Sequence, residues 1–263
     1  MLANGKHVRA RHAVISNAPV WQTSSLLPDA AKATVRAAAG ANGVAAGGGG
    51  GAPLDPDTPA TPSFVHLHLG IRADGLDEAA LRSIHHIVVP EWALLTAPQA
   101  TAFISIPSLI DPSLAPEGKH VIHAYLPATE PYSVWEEVER GTEAYEALKV
   151  ERAQPLYTAI ERIIPDLRER IEVQLIGSPL THERYLRRYR GTYGPELSAK
   201  TTTFPGARTP IDSLLVCGDS CWPGIGVPAV AGSGIAAAHA VSGVKEQQQL
   251  LSEMREGGSL LPA

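Results

Sequence analysis

The sequence predicts a mixed α/β protein, with an α+β middle part inserted into a second part of strand–loop–helix character. Three observations predict it. Five strand-like segments and one long helical stretch follow one another between residues 63 and 189 without regular alternation. That pattern suits an antiparallel or mixed sheet with helices packed on it. Two short apolar runs, Ala13 to Ile15 and Leu214 to Val216, flank this stretch and have no strand-like neighbours nearby in the chain. The second run leads into "CGDSCWPGIGVPAVAGSGIAAAHAV", Cys217 to Val241, where a glycine-rich loop opens a helix of small residues.

Bulk properties restrict the classes. The 263 residues suffice for one large or two modest domains. A 44% hydrophobic and 19% charged composition is that of an ordinary folded protein. The formal net charge of −5 gives no electrostatic reason to expect nucleic acid as a partner. Cys217 and Cys221 alone imply no disulfide framework. Their C-x3-C spacing could hold a bridge or a metal, but isolated buried cysteine is the commoner case. No run reaches the ~20 apolar residues of a membrane span. The nearest, 226–241, is rich in Gly and Ala and carries Ser233 and His239. Residues 1–10 mix polar and apolar types, so no secretory signal is expected there.

The elements follow in order. Asn4-Gly5 is a turn signal before a strand-like stretch from Val8. Residues 30–39 read as a short helix. Residues 38–60, Ala/Gly-rich with five consecutive glycines, read as a disordered or loosely attached insertion. "SFVHLHLGI" alternates, with Val65, Leu67, Leu69 and Ile71 on one face and Phe64, His66 and His68 on the other. "HHIVV", "AFISI", "HVIHAYL" and "IEVQLI" are four further strands. Ser133 to Glu136 reads as a capping box. Tyr145, Leu148, Leu156, Ile160, Ile163 and Ile164 then give a helix with one apolar side. Pro155 should kink or interrupt that helix, and Pro165 should stop it. The expected division is one domain from residues 1–28 and 190–243, a middle domain over 63–189, and a tail over 244–263.

The loop carries the chemistry. Asp219 sits past the carboxyl end of the 214–216 strand, the edge where open α/β sheets bind ligands. Gly218 lets the backbone turn, and Gly224 and Gly226 let the main chain approach a ligand closely. Pro228 suits a first helical turn. The helix N-terminus offers N–H donors and partial positive charge. The expected ligand is a large, partly anionic cofactor lying across a loop and a helix end.

At these residues the chain resembles FAD-dependent carotenoid oxidoreductases, namely phytoene desaturase-like enzymes and, most closely, the carotenoid (prolycopene) isomerases. Their C-terminal flavin-binding signature reads much like G-D-S-x-x-P-G-x-G-V-x-A-V-x-x-S-G. "ISNAPVWQTSSLLP", "HHIVVPEW", "SIPSLIDPSLAPEGKHVIHAY" and "THERYLRRYRGTYGP" also look isomerase-like and occur in the same order. The resemblance implies the C-terminal part of a Rossmann-like FAD domain plus a substrate domain. Such enzymes begin with a βαβ unit carrying G-x-G-x-x-G and a downstream acidic residue, and this sequence has neither. FAD binding by this chain alone is therefore expected to be weak or absent, and with it activity.

The resemblance also implies roles. Asp219 would hydrogen-bond the ribityl or phosphate region of FAD. Gly226, Val227, Pro228 and Ala229 would lie against the isoalloxazine. A poly-cis carotene would lie along the middle sheet and undergo cis–trans isomerisation with no net redox change. A plastid location follows, with association at a thylakoid surface because the substrate is insoluble in water. Two other readings stay open at this point. One is a non-catalytic accessory subunit docked on a pigment-containing membrane complex, and the other is a polyene or retinoid desaturase or reductase.

Other polar clusters have plainer readings. His66 and His68 share a strand face, but spacing reveals no third ligand, so satisfied sheet histidines and no metal are expected. His85 and His86 would point to opposite faces. Glu136, Glu137 and Glu139 read as a solvated face. Arg184, Arg187, Arg188 and Arg190 read as a solvated or ion-paired surface, or as a site for a phosphate or lipid headgroup.

Overall fold

The computed structural model describes residues 4–45, 54–81, 83–95, 97–197 and 204–257. In chain order the elements are β1 (Val14–Ser16), α1 (Val20–Ser25), α2 (Asp29–Ala45), β2 (Ser63–Arg72), α3 (Glu78–Leu81), β3 (His85–Val88), β4 (Ala102–Ser105), β5 (Lys119–Glu130), α4 (Glu143–Glu161), α5 (Leu167–Arg170), β6 (Ile171–Gly177), α6 (Pro179–Leu186), β7 (Leu214–Val216), α7 (Val227–Val241) and α8 (Val244–Glu256). The chain forms two units. Met1–Ala60 and Gly194–Ala263 make the first, and Thr61–Tyr193 the second.

The second unit is built on one sheet of order β3-β4-β5-β2-β6 with every neighbouring pair antiparallel. Alternation places Val65, Leu67, Leu69 and Ile71 of β2 on one face, with Ile122, Ala124 and Leu126 of β5 and Ile104 of β4 beside them. Tyr145, Ala153, Leu156, Tyr157 and Ile160 of α4 belong to the same core. Each large apolar side chain fully buried there contributes roughly 1.5–3 kcal/mol. Leu156 and Ile160 are wholly buried. The helix runs through Pro155, so the interruption that the sequence allowed for does not occur. Burial on both sides of the proline offsets the one lost backbone hydrogen bond.

The start of α4 also differs from expectation. Tyr132–Val134 is a 3-10 turn, so 133–136 is no capping box. Gly141 has a positive φ of 85° that turns the chain. Thr142 then caps the helix, its side chain accepting from Tyr145 N at 3.2 Å. Ahead of this turn, the fully buried Glu130 accepts from Trp135 Nε1 at 2.8 Å and from Arg152 Nε and Nη2 at 2.9 and 2.8 Å. This network ties the end of β5 to α4. The unit also closes its own ends, with Thr192 Oγ1 donating to Thr61 O and Ser63 Oγ to Gly191 O.

In the first unit β1 and β7 pair in parallel, Val14 with Leu214 and Ser16 with Val216. Around β7, Val35, Leu54, Val216 and Cys221 make a small core. The stretch expected to be loosely attached differs on two counts. Helix α2 extends beyond residue 39 to Ala45, as its alanine-rich sequence favours. Leu54 is buried in the core, and Trp21 Nε1 donates to Thr58 O at 2.9 Å, which anchors the segment leaving it. The five glycines lie outside the described residues. The expected tail is helical over α8, whose Gly243 N donates to Glu246 Oε2 at 2.7 Å.

Candidate functional site

All seven residues expected to bind cofactor lie between the end of β7 and the first turn of α7. Cys217 N donates to Ser16 O at 2.9 Å, continuing the parallel ladder one residue past β7. Gly218 then takes φ 105°, and a Cβ there would stand 2.8 Å from Asn17 Oδ1. Its N–H donates to Ser233 Oγ of α7 at 2.7 Å, and that hydroxyl donates to Val230 O. The helix is thus tied back to the strand it follows. Beside Asp219, Ser220 Oγ accepts from Val20 N at 3.2 Å, which fixes the loop to the start of α1. Gly224 is closed from below, because a Cβ would meet Phe204 at 2.4 Å.

Gly226 differs. Its φ is 111°, yet a Cβ would meet nothing within 4 Å among the described residues. It caps α7 without a side-chain hydrogen bond, and the first helical bond runs from Val230 N to Gly226 O. N–H groups of a first helical turn precede the intrahelical ladder and point outward. Val227 is 81% exposed and Pro228 is exposed beside it. The result is an open apolar shelf over a positive helix end.

Both cysteines are free thiols. Burial, then the neighbouring Cys217 and Asp219, pushes Cys221 up to about 12. The folded protein therefore keeps Cys221 neutral where an unfolded thiol ionises, near 9. Two results are expected. Alkylation at pH 8 modifies Cys217 and spares Cys221 until denaturant is added, as mass spectrometry of tryptic peptides would show. Stability falls as pH rises above 9, because the unfolded chain then binds fewer protons than the folded one. Replacing Gly218 with alanine should cost about 1–3 kcal/mol, because the backbone there is left-handed, while the Asn17 side chain can turn away from the new methyl. A urea midpoint equal to that of the parent would refute this.

The second unit offers an aromatic surface. Opposite its core, the sheet presents Phe64, His66 and His68 of β2, His123 and Tyr125 of β5, and Phe103 of β4. The register sets His123 directly across from His68. Their rings are 4.4 Å apart and nearly parallel, and His66 stacks on His123 at 5.1 Å. His66 Nδ1 and His123 Nε2 share a 2.8 Å hydrogen bond. Burial foremost, then nearby His182, His123 and His68, pushes His66 down to about 3. Burial and then His68 push His123 down to about 4. Both imidazoles are neutral at pH 7. Phe64 packs against Tyr193 at 4.1 Å. Val173 and Leu175 of β6 extend this face and are 56% and 64% exposed. The sequence placed His66 and His68 on one strand face, as satisfied sheet histidines, and did not bring in His123, whose position depends on the pairing of strands more than 50 residues apart.

Over 198 residues the chain is 37% identical to the chloroplastic prolycopene isomerase of Daucus carota, a match covering 72% of this chain and 31% of the relative. The chloroplastic prolycopene isomerase of Arabidopsis thaliana is 36% identical over 198 residues, 72% of this chain and 32% of that one. Over most of its described length the chain is thus similar to chloroplastic prolycopene isomerases. It spans about a third of the length of the curated family members it matches. No family model matches the chain. An oxidoreductase of solved structure from Methanosarcina mazei is 19% identical, with a TM-score of 0.44 over 86% of this chain and 42% of that one, a likeness too slight to argue from. Among the described residues no helix is long and apolar enough to cross a membrane.

Proposed function

We propose that this chain supplies the flavin-ring loop and the polyene-facing sheet of a flavin-dependent carotenoid isomerase. The observation that carries the reading is the similarity to prolycopene isomerases over 72% of the chain. Two local features support the reading. Among the described residues nothing stands where a side chain at Gly226 would, and the helix beyond it lacks a side-chain cap. Asp219, at the carboxyl end of β7, would accept hydrogen bonds from the ribityl chain. Gly226 to Ala229 would face the ring, with Val227 and Pro228 as the apolar contact. Bound there, FAD would supply reversible electron density for loosening one C=C bond. The start of α7 carries partial positive charge, which would stabilise negative charge gathering on a ring bound there without reorganisation.

The open sheet face serves the substrate in this reading. A polyene has no hydrogen-bonding groups along its length, so apolar and aromatic contact must orient it. Phe64, Phe103 and Tyr125 offer that contact. The family members matched are chloroplastic by name, which favours a plastid location here. An insoluble substrate favours work at the thylakoid surface.

The test is product analysis. The chain, joined to a βαβ segment of G-x-G-x-x-G type and supplied with FAD and a reductant, should convert poly-cis carotene in liposomes to all-trans product of unchanged mass. A product two hydrogens lighter or heavier would instead indicate a desaturase or reductase. Full FAD occupancy with substrate left unchanged would favour a docking subunit.

A further inference from the structure

The geometry points to a transition-metal site on the open sheet face, formed by His66, His68 and His123. One ring nitrogen from each lies within 4.8 Å of the others. The arrangement follows from β geometry. Residues i and i+2 share a face, which gives His66 and His68. The antiparallel register then puts His123 directly opposite His68. Three ligands thus come from two paired strands that also carry the main core of their unit, so the scaffold is rigid.

The donor set selects the ion. Three imidazoles, with no carboxylate in the group, suit Zn²⁺, Co²⁺, Ni²⁺ or Cu²⁺ and not Mg²⁺ or Ca²⁺. Three-histidine sets characteristically leave a fourth position open. His68 is the exposed member and lines a groove with Gly70, Val121, Val173 and Leu175, so that position is reachable from solvent.

Support around the site is in place. Tyr193 OH lies 3.4 Å from His66 Nε2 and 3.5 Å from His182 Nδ1. If His66 Nε2–H donates to this hydroxyl, Nδ1 is left with its lone pair toward His123, the form a ligand requires. His182 is 7% exposed, its ring is 4.9 Å from that of His66, and its buried Nε2 has no hydrogen-bond partner among the described residues. Metal–nitrogen bonds of ~2.0–2.1 Å require the parallel rings to turn toward a common centre, and the exposed edge at His68 leaves room for that rotation. The shared His66–His123 proton then moves to the non-ligating nitrogen of His123.

The experiment does not depend on flavin or carotene. The full 263-residue chain, cleared of metal with EDTA, is titrated with Co²⁺ and followed by visible absorption. One equivalent should give the intense bands of four-coordinate cobalt, and one equivalent of Zn²⁺ should abolish them. His68→Ala and His123→Ala should each weaken binding by about 100-fold or more, and Tyr193→Phe by at least about tenfold. His239→Ala, on α7, should change nothing. His68 is exposed, so its removal should leave the circular dichroism spectrum and urea midpoint intact. Weak, non-saturating cobalt binding, or saturable binding indifferent to His68→Ala and His123→Ala, would overturn the assignment. Isomerase failure in the product assay leaves this result unaffected.

Discussion

Replacing Glu130 with alanine is expected to lower the free energy of unfolding of the second unit by about 3–5 kcal/mol, the usual cost of removing one partner from a buried ion pair. Glu130 is fully buried, and its two oxygens accept three hydrogen bonds. Alanine would strand the Arg152 guanidinium, whose side chain is only 16% exposed, and the Trp135 Nε1–H inside the unit. Trp135 is itself fully buried, so water cannot readily replace the lost acceptor. Glu130→Gln should cost less, because an amide oxygen can still accept from one donor. Urea unfolding followed by tryptophan fluorescence reads the difference. A loss below about 1 kcal/mol, the scale of an exposed pair, would show that water reaches the network.

The second large effect concerns FAD. The isolated chain should bind it weakly, and joining a βαβ unit should raise affinity by several powers of ten. That unit would supply a helix N-terminus for the pyrophosphate and an acidic group for the adenosine ribose. Each charge-assisted hydrogen bond is worth roughly 1.5–3 kcal/mol, and ~1.4 kcal/mol is a tenfold change in affinity. Two or three such bonds therefore separate an empty site from an occupied one. In the joined protein Asp219→Ala should weaken binding again by about tenfold to 100-fold. Flavin fluorescence titration decides it. Tight stoichiometric binding by the 263-residue chain alone would refute the proposal that the missing contacts dominate. The fold gives a separate reason to expect a larger sheet. Parallel sheets are normally covered on both faces, whereas Val14 and Ile15 of the β1–β7 pair are 54% and 43% exposed.

Much of this architecture was legible because it rests on short-range pattern. Val65, Leu67, Leu69 and Ile71 alternate with polar residues, and a period of two has one structural meaning. The glycine loop was legible for a similar reason. Gly218 and Gly224 stand where the backbone is left-handed and where a Cβ would collide. What escaped was decided by tertiary contacts. Ser133 to Glu136 has the letters of a cap, but Trp135 is drawn inward by Glu130, and the helix starts at Thr142 instead. Pro155 has a strong local tendency to break a helix, and the core around Leu156 and Ile160 overrides it. Leu54 is a single apolar residue after a glycine run, with no period to announce its burial. His123 became a neighbour of His68 only through strand register, which no local window contains.

The closed ends of the second unit set a timetable for synthesis. β1 leaves the ribosome about 200 residues ahead of its partner β7. At ~5–20 residues per second it waits for about 10–40 s with its ladder groups unpaired. Meanwhile the second unit, contiguous in the chain, can complete itself and bring Thr61 beside Thr192. The free chain left between β1 and β7 then shrinks from about 200 to about 60 residues, which eases their closure by about 1 kcal/mol. The inserted unit thus acts as a clasp for the strands on either side of it. A variant whose second unit folds slowly would leave β1 open to pairing with other chains, and its nascent form would call on chaperones even if the finished protein were as stable as the parent.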